Sequence, residues 1–181
     1  GKSLALGTAT LDRSMQFLAT GSSPIAYYDY ATGNYWASHN NPVDRIPYPS
    51  WLGLKMRNTL CPGDLLTVEP VDVKRVNIPD KKVVKTTNDG KGQTETVRGR
   101  DGIPLTACYA FRKGPGGVSF MLLNRSLTEP RTVELELPAG FSGQSKQFAM
   151  TNPDPKATNR TEENVKIQES TGPEIKSGMK I

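Results

Sequence analysis

The sequence has 181 residues, a formal net charge of +5, 35% hydrophobic residues and a mean hydropathy of −0.51, enough for one domain, or one domain plus part of another, with a modest core. No apolar run approaches the ~20 residues that a bilayer-crossing helix needs, so no membrane span is expected, and GKSLALGTATLD lacks a signal peptide's apolar stretch, which leaves any export signal upstream or absent. The basic residues are scattered, and the densest run, Lys81 to Arg100, holds no aromatic to stack a base, so it reads as a solvated hairpin and no nucleic-acid partner is expected.

In chain order, the first element is a helix. Thr10 can cap it, Leu11, Met15 and Leu18 recur on one face, and Gly21 closes it. PIAYYDYATGNYWASH predicts a short strand, Ile25 to Tyr28, running into an aromatic loop. PSWLGLKMRNTL predicts a second helix from Pro49 or Ser50, with Leu52, Met56 and Leu60 spaced by four and Cys61-Pro62-Gly63 ending it. Helix, strand, loop and helix within about sixty residues is the rhythm of an α/β barrel.

From Asp64 the hydrophobic period becomes two. DLLTVEPVDV starts a strand, and KKVVKTT with TETVRG flanks Asn88-Asp89-Gly90 as a hairpin. In PLTACYAFRKG, Leu105, Ala107, Tyr109 and Phe111 share one face. Gly114 to Gly117 turns the chain into VSFMLLNRS, where Val118, Phe120 and Leu122 alternate. RTVELEL alternates most cleanly, with Val133, Leu135 and Leu137 inward and Thr132, Glu134 and Glu136 outward; KQFAM and NVKIQ add two short strands. This spacing predicts a mainly β fold, an antiparallel β-sandwich with Phe120, Leu122, Val133, Leu135 and Leu137 in its core. The tail QESTGPEIKSGMKI carries no predicted element.

His39 is the single histidine, and Cys61 and Cys108 are the two cysteines. That inventory does not furnish a zinc site, which takes about four ligands, so neither metal nor cofactor is expected. If Cys61 and Cys108 paired, closing that loop would stabilise the fold by about 4 kcal/mol in the chain-entropy model; the alternative is two buried free thiols. Asn124-Arg125-Ser126 and Asn159-Arg160-Thr161 are N-glycosylation triplets, which also arise by chance. Asn124 ends a strand and suits a turn.

MLLNRSLTEPRTVELELPAGF followed by AMTNPDPKATNRTEENV resembles the C-terminal sandwich of clan-A retaining glycoside hydrolases, nearest to α-L-arabinofuranosidases and less closely to β-xylosidase-like enzymes. IPYPSWLGLKMRNTLCPGDLLTVEP resembles their last barrel helix passing into the first sandwich strand. The likeness spans most of Thr10 to Ile167, with Lys81 to Gly102 looser and reading as an insertion. It implies two parts: residues 1–62, a short α/β segment resembling the end of a (β/α)8 barrel, and residues 63–181, the sandwich.

The resemblance also implies what is missing. Such enzymes use two glutamates about 5 Å apart, and both would lie upstream of Leu11. Gly1 to Leu60 contains no glutamate, its acids being Asp12, Asp29 and Asp44. No catalytic residue is therefore expected here, and the partner would be the catalytic barrel, in the same chain or another. By the same resemblance the sandwich stops short of its usual final strand, which implies a fragment, a processed chain or a partner subunit. Trp36 could stack a sugar, and Asn34 or His39 could bond a hydroxyl; the alternative is that Trp36 packs the barrel mouth against the sandwich. The expected role is an accessory brace of a secreted or periplasmic glycosidase acting on arabinose- or xylose-containing polysaccharide. Two other classes stand beside it, a carbohydrate-binding module and a structural or assembly protein. The first is disfavoured because no tryptophan follows Trp51 to build a stacking platform; the second would use exposed edge strands.

Overall fold

The computed structural model describes residues 2–22, 37–86, 90, 92–112, 114, 117–137 and 140–176. The predicted strand Ile25 to Tyr28, Asn34, Trp36, and the turn residues Asn88 and Asp89 lie outside these.

The first helix, α1 (Leu4–Ala19), starts six residues before the expected cap. Ser3 is its N-cap, with Oγ accepting from the Leu6 N–H at 3.3 Å. The Leu4 and Ala5 N–H groups, orphaned at any helix start, donate to the Ala157 and Pro155 carbonyls, both at 2.9 Å. A distant loop thus supplies acceptors that the local sequence does not announce. Thr10 instead sits inside the helix and donates to the Leu6 carbonyl at 2.8 Å. The predicted face holds: Leu11 is 3% and Met15 1% exposed, with Leu18 packed alongside. Gly21, at φ +80°, takes the left-handed conformation that ends the run.

The second helix, α2 (Pro49–Leu60), has the predicted bounds, with proline in the first turn, where its missing N–H costs nothing. It packs on α1 closely enough that a Cβ on Gly7 would stand 2.7 Å from the Pro49 carbonyl carbon. Leu52 is buried, while Met56 and Leu60 are half-buried.

The described chain is mainly β, 39% strand against 18% helix, and all its sheets are antiparallel. Three strands form the sheet under the helices: β1 (Asp64–Leu66), β6 (Thr106–Arg112) and β7 (Val118–Asn124), with β6 central. Between β1 and β6 runs a long ribbon, in which β2 (Arg75–Ile78) pairs with β5 (Arg100–Pro104), and β3 (Lys81–Thr86) pairs with β4 (Gly92–Val97) as the predicted hairpin. A last pair joins β8 (Gly143–Met150) to β9 (Ile167–Ile175).

Register decides which side chains enter the core. Ala107 lies opposite Leu123, Tyr109 opposite Met121 and Phe111 opposite Ser119; cross-strand partners share a face. The core therefore takes Phe111, Met121 and Leu123, together with Leu11, Met15 and Cys61. Ala107, Tyr109 and Phe111 match the expectation. In β7 the phase is the opposite of the one expected: Leu122 is 44% exposed and Phe120 only half-buried. MLL is apolar at every position, so its own pattern cannot select a face.

RTVELEL is not a strand; only Glu136 makes a single bridge. The predicted alternation survives in burial, with Leu137 buried, Val133 and Leu135 half-buried, and Thr132, Glu134 and Glu136 exposed. Side-chain alternation needs only extended backbone, whereas a strand also needs a ladder of neighbours. In NVKIQ, Val165 is fully buried but β9 begins only at Ile167, and it continues through the tail that carried no predicted element. No described helix is long and apolar enough to cross a membrane.

Candidate functional site

His39, the described member of the predicted sugar-binding trio, lies in the loop 37–48, where it bridges to Pro47. Its Nδ1 is 2.8 Å from the Ser38 hydroxyl, and its ring meets Trp51 with centroids 5.7 Å apart. Trp51, on the first turn of α2, is 37% exposed, so the two rings form a partly open aromatic surface. Burial first, and the Arg45 charge second, hold the imidazole below its ordinary value of 6.5, which favours the neutral ring.

Two asparagines fix this loop. Asn40 Oδ1 accepts from the N–H groups of Asn41 and Ile46, both at 2.8 Å, and its Nδ2 donates to the Arg160 carbonyl at 3.3 Å. Asn159, fully buried, donates Nδ2 to the Pro47 and Val165 carbonyls at 2.9 and 2.6 Å and accepts from the Val165 N–H at 2.7 Å. Both amide hydrogens of this triplet asparagine are thus used inside the fold, and the residue is fully buried. Asn124 is exposed and holds a turn, Nδ2 donating to the Glu129 carbonyl and Oδ1 accepting from the Ser126 N–H, each at 2.9 Å.

A lowered His39 pKa has a testable consequence. A base with a depressed folded pKa contributes stability above its unfolded value and loses it as pH falls through the folded one. Wild type should lose stability below pH ~6.5, and His39→Gln should lose less over the same range. Denaturant titrations at several pH values check this; parallel pH dependences for the two proteins would rule it out.

The second cluster joins α1 to the sheet. Arg125, just past β7, grips the Asp12 carboxylate with Nε and Nη2, both at 2.8 Å. Tyr109 on β6 donates its hydroxyl to Asp12 Oδ1 at 2.7 Å, and Gln16 Nε2 reaches Oδ2 at 3.2 Å. The pair is 13% and 19% exposed on the carboxylate and guanidinium sides. Four donors occupy the carboxylate, leaving it poorly placed to accept a proton from a substrate. This is a fastening, bordered by an open cleft of about 510 Å³ that Gln16, Arg100, Asp101 and Ile103 also line. In the sequence Asp12 and Tyr109 fall in their predicted elements with nothing to pair them, and Arg125 stands only as the middle of a triplet.

Cys61 and Cys108 are both free. Cys61 belongs to the core beneath the helices, whereas Cys108 alternates with Ala107 and Tyr109 and so points from the opposite face of β6. The fold separates the thiols that could have paired. Burial raises both thiol pKa values, which disfavours the reactive thiolate. Among the described residues, no three His, Cys, Asp or Glu side chains gather as a metal site would require. Comparisons with family models, with curated proteins and with solved structures found no match.

Proposed function

We propose that this chain is the accessory C-terminal portion of a retaining glycoside hydrolase, an antiparallel sandwich with the end of a catalytic barrel, and that it braces the barrel without performing chemistry. The observation that supports this reading is the seat of α1 and α2 on the β1–β6–β7 sheet, locked by the two-pronged Asp12–Arg125 contact. A helical edge fastened to a β domain by a half-buried ion pair suits two parts that must keep a fixed relation. The resemblance assigns arabinose- or xylose-containing polysaccharide as substrate and an extracellular or periplasmic location. The His39–Trp51 surface would offer a stacking ring beside the barrel mouth.

Retaining hydrolysis needs two carboxyl groups facing one sugar. The Asp12 carboxylate is engaged by four donors, and Glu134 and Glu136 lie on the exposed side of an extended segment. The isolated chain is expected to leave aryl α-L-arabinofuranoside and aryl β-xyloside intact. The polypeptide from its native source, or its tight complex, is expected to exceed the 19.8 kDa of this chain and to hydrolyse one of them. A native species of this mass without a barrel partner, or turnover by the chain alone that vanishes in Asp29→Asn, overturns the proposal.

A further inference from the structure

The ribbon between β1 and β6 runs out along β2 and β3 and back along β4 and β5. In its outer half every described residue except Val83 is exposed, and among the described residues β3 and β4 pair only with each other. A lone two-stranded ribbon is marginal in water, and each of its strands has one edge open to a further strand. The two edges differ in charge. β3 carries Lys81, Lys82 and Lys85 in six residues, the common guard against edge-to-edge pairing. β4 carries one charge, Glu95, which is ion-paired to Lys85 of its own ribbon. It has no lysine, no proline and no break in its register with β3.

We propose that β4 is a self-association edge, pairing antiparallel with β4 of a second copy about a two-fold axis at Thr94. In such a contact residue i meets j and j meets i. With Thr94 opposite its counterpart, Gln93 meets Glu95 of the second copy, so a carboxamide N–H faces a carboxylate. Thr96 meets Gly92. On the other face Val84 is the neighbour of Thr94, so the two copies align a row of valine, threonine, threonine and valine. Val84, 72% exposed in the single chain, then lies in a continuous β-branched row, and cross-strand pairs of this kind stabilise sheets. An axis at Glu95 would oppose two carboxylates, and a one-residue slip would exchange the faces, so Thr94 is the register the sequence favours.

The resulting order, β3–β4–β4–β3, puts the lysine strands outermost. Three strand spacings hold them about 14 Å apart, beyond the ~8 Å screening length at physiological salt. At 0.01 M salt the screening length is ~30 Å and their mutual repulsion is felt, so raising the salt from there should strengthen the contact. Five paired residues a side, Gly92 to Thr96, fall short of the ~1,200 Å² of a standard interface, so the dimer is concentration-dependent and not obligate.

Sedimentation velocity across a wide concentration range should show a reversible monomer–dimer equilibrium that high NaCl favours. Thr94→Lys sets two ammonium groups together on the axis and should lower the association constant about fivefold or more, with the far-UV circular dichroism unchanged. Cα atoms across an antiparallel pair stand ~4.5–5.5 Å apart, within disulfide reach. Thr94→Cys should therefore cross-link into a covalent dimer on mild oxidation, with the wild-type thiols as blank, while Lys82→Cys on the guarded edge should not. A chain that stays monomeric throughout overturns the proposal. So does a dimer weakened by salt, one that Thr94→Lys leaves intact, or one in which Lys82→Cys cross-links and Thr94→Cys does not.

Discussion

Phe111→Ala is expected to cost about 3–5 kcal/mol of stability, the range for emptying a large buried aromatic site. Phe111 is fully buried on the central strand of the three-stranded sheet, with Leu65 and Ser119 beside it. It touches the core formed by Leu11, Met15, Cys61, Met121 and Leu123, and the Arg57 guanidinium lies 4.6 Å from its ring centroid. Truncation removes the apolar contacts and the ring face together, and two helices anchored on a strand cannot collapse far into the gap. For a chain of this size the loss corresponds to a melting temperature lower by roughly 6–20 °C. Leu122→Ala supplies the contrast. Leu122 is 44% exposed on the opposite face, and an exposed change should stay within about 0.5 kcal/mol. Chemical denaturation of both variants checks the pair; equal losses would mean that the sheet buries its other face.

That contrast also shows why the strand phases were only partly readable. In β6 polar or small residues alternate with Tyr109 and Phe111, so local pattern and packed face agree. β7 is apolar at consecutive positions, and its face is set by register against β6, which is information from a distant segment. RTVELEL shows the reverse failure. Its alternation is real in burial, but whether an extended run becomes a strand depends on a neighbour that no local pattern encodes. The bounds of α2 were readable because proline and the Cys61-Pro62-Gly63 stop are local signals. The start of α1 was not, since its first N–H groups are satisfied by carbonyls some 150 residues away in sequence.

The loop sites divide along the same line. Asn124 was readable as a turn residue because its partners, Ser126 and Glu129, are near in sequence. Asn159 resembled a glycan acceptor by its triplet, but its partner Pro47 lies more than a hundred residues upstream. His39, at the end of the predicted aromatic loop, meets a ring from outside that loop. That ring is Trp51, which the helix pattern had placed without a role.

Asp12→Ala should cost about 3 kcal/mol, near the low end for breaking a buried pair because the contact is partly wet. The loss comes mostly from what is left behind: a guanidinium and a phenol in a seam without their acceptor. Replacing Asp12 and Arg125 together by Leu and Met should recover much of it, since two apolar groups leave no stranded charge. Tyr109 adds an independent readout. Burial first, then its hydrogen bond to Asp12 and the carboxylate's charge, push the phenol well above its ordinary value of 10, with Arg125 opposing. A folded pKa above the unfolded one contributes stability that is complete below pH ~10 and lost as pH rises through the folded value. Wild type should therefore weaken in alkali relative to Tyr109→Phe, and phenolate absorbance compared between the two should show a late-titrating hydroxyl. In Asp12→Ala that titration should move down, because two of its causes are gone. A loss below about 0.5 kcal/mol, as for a surface site, together with an unmoved Tyr109 titration, would show that the helices are held to the sheet by the apolar core alone.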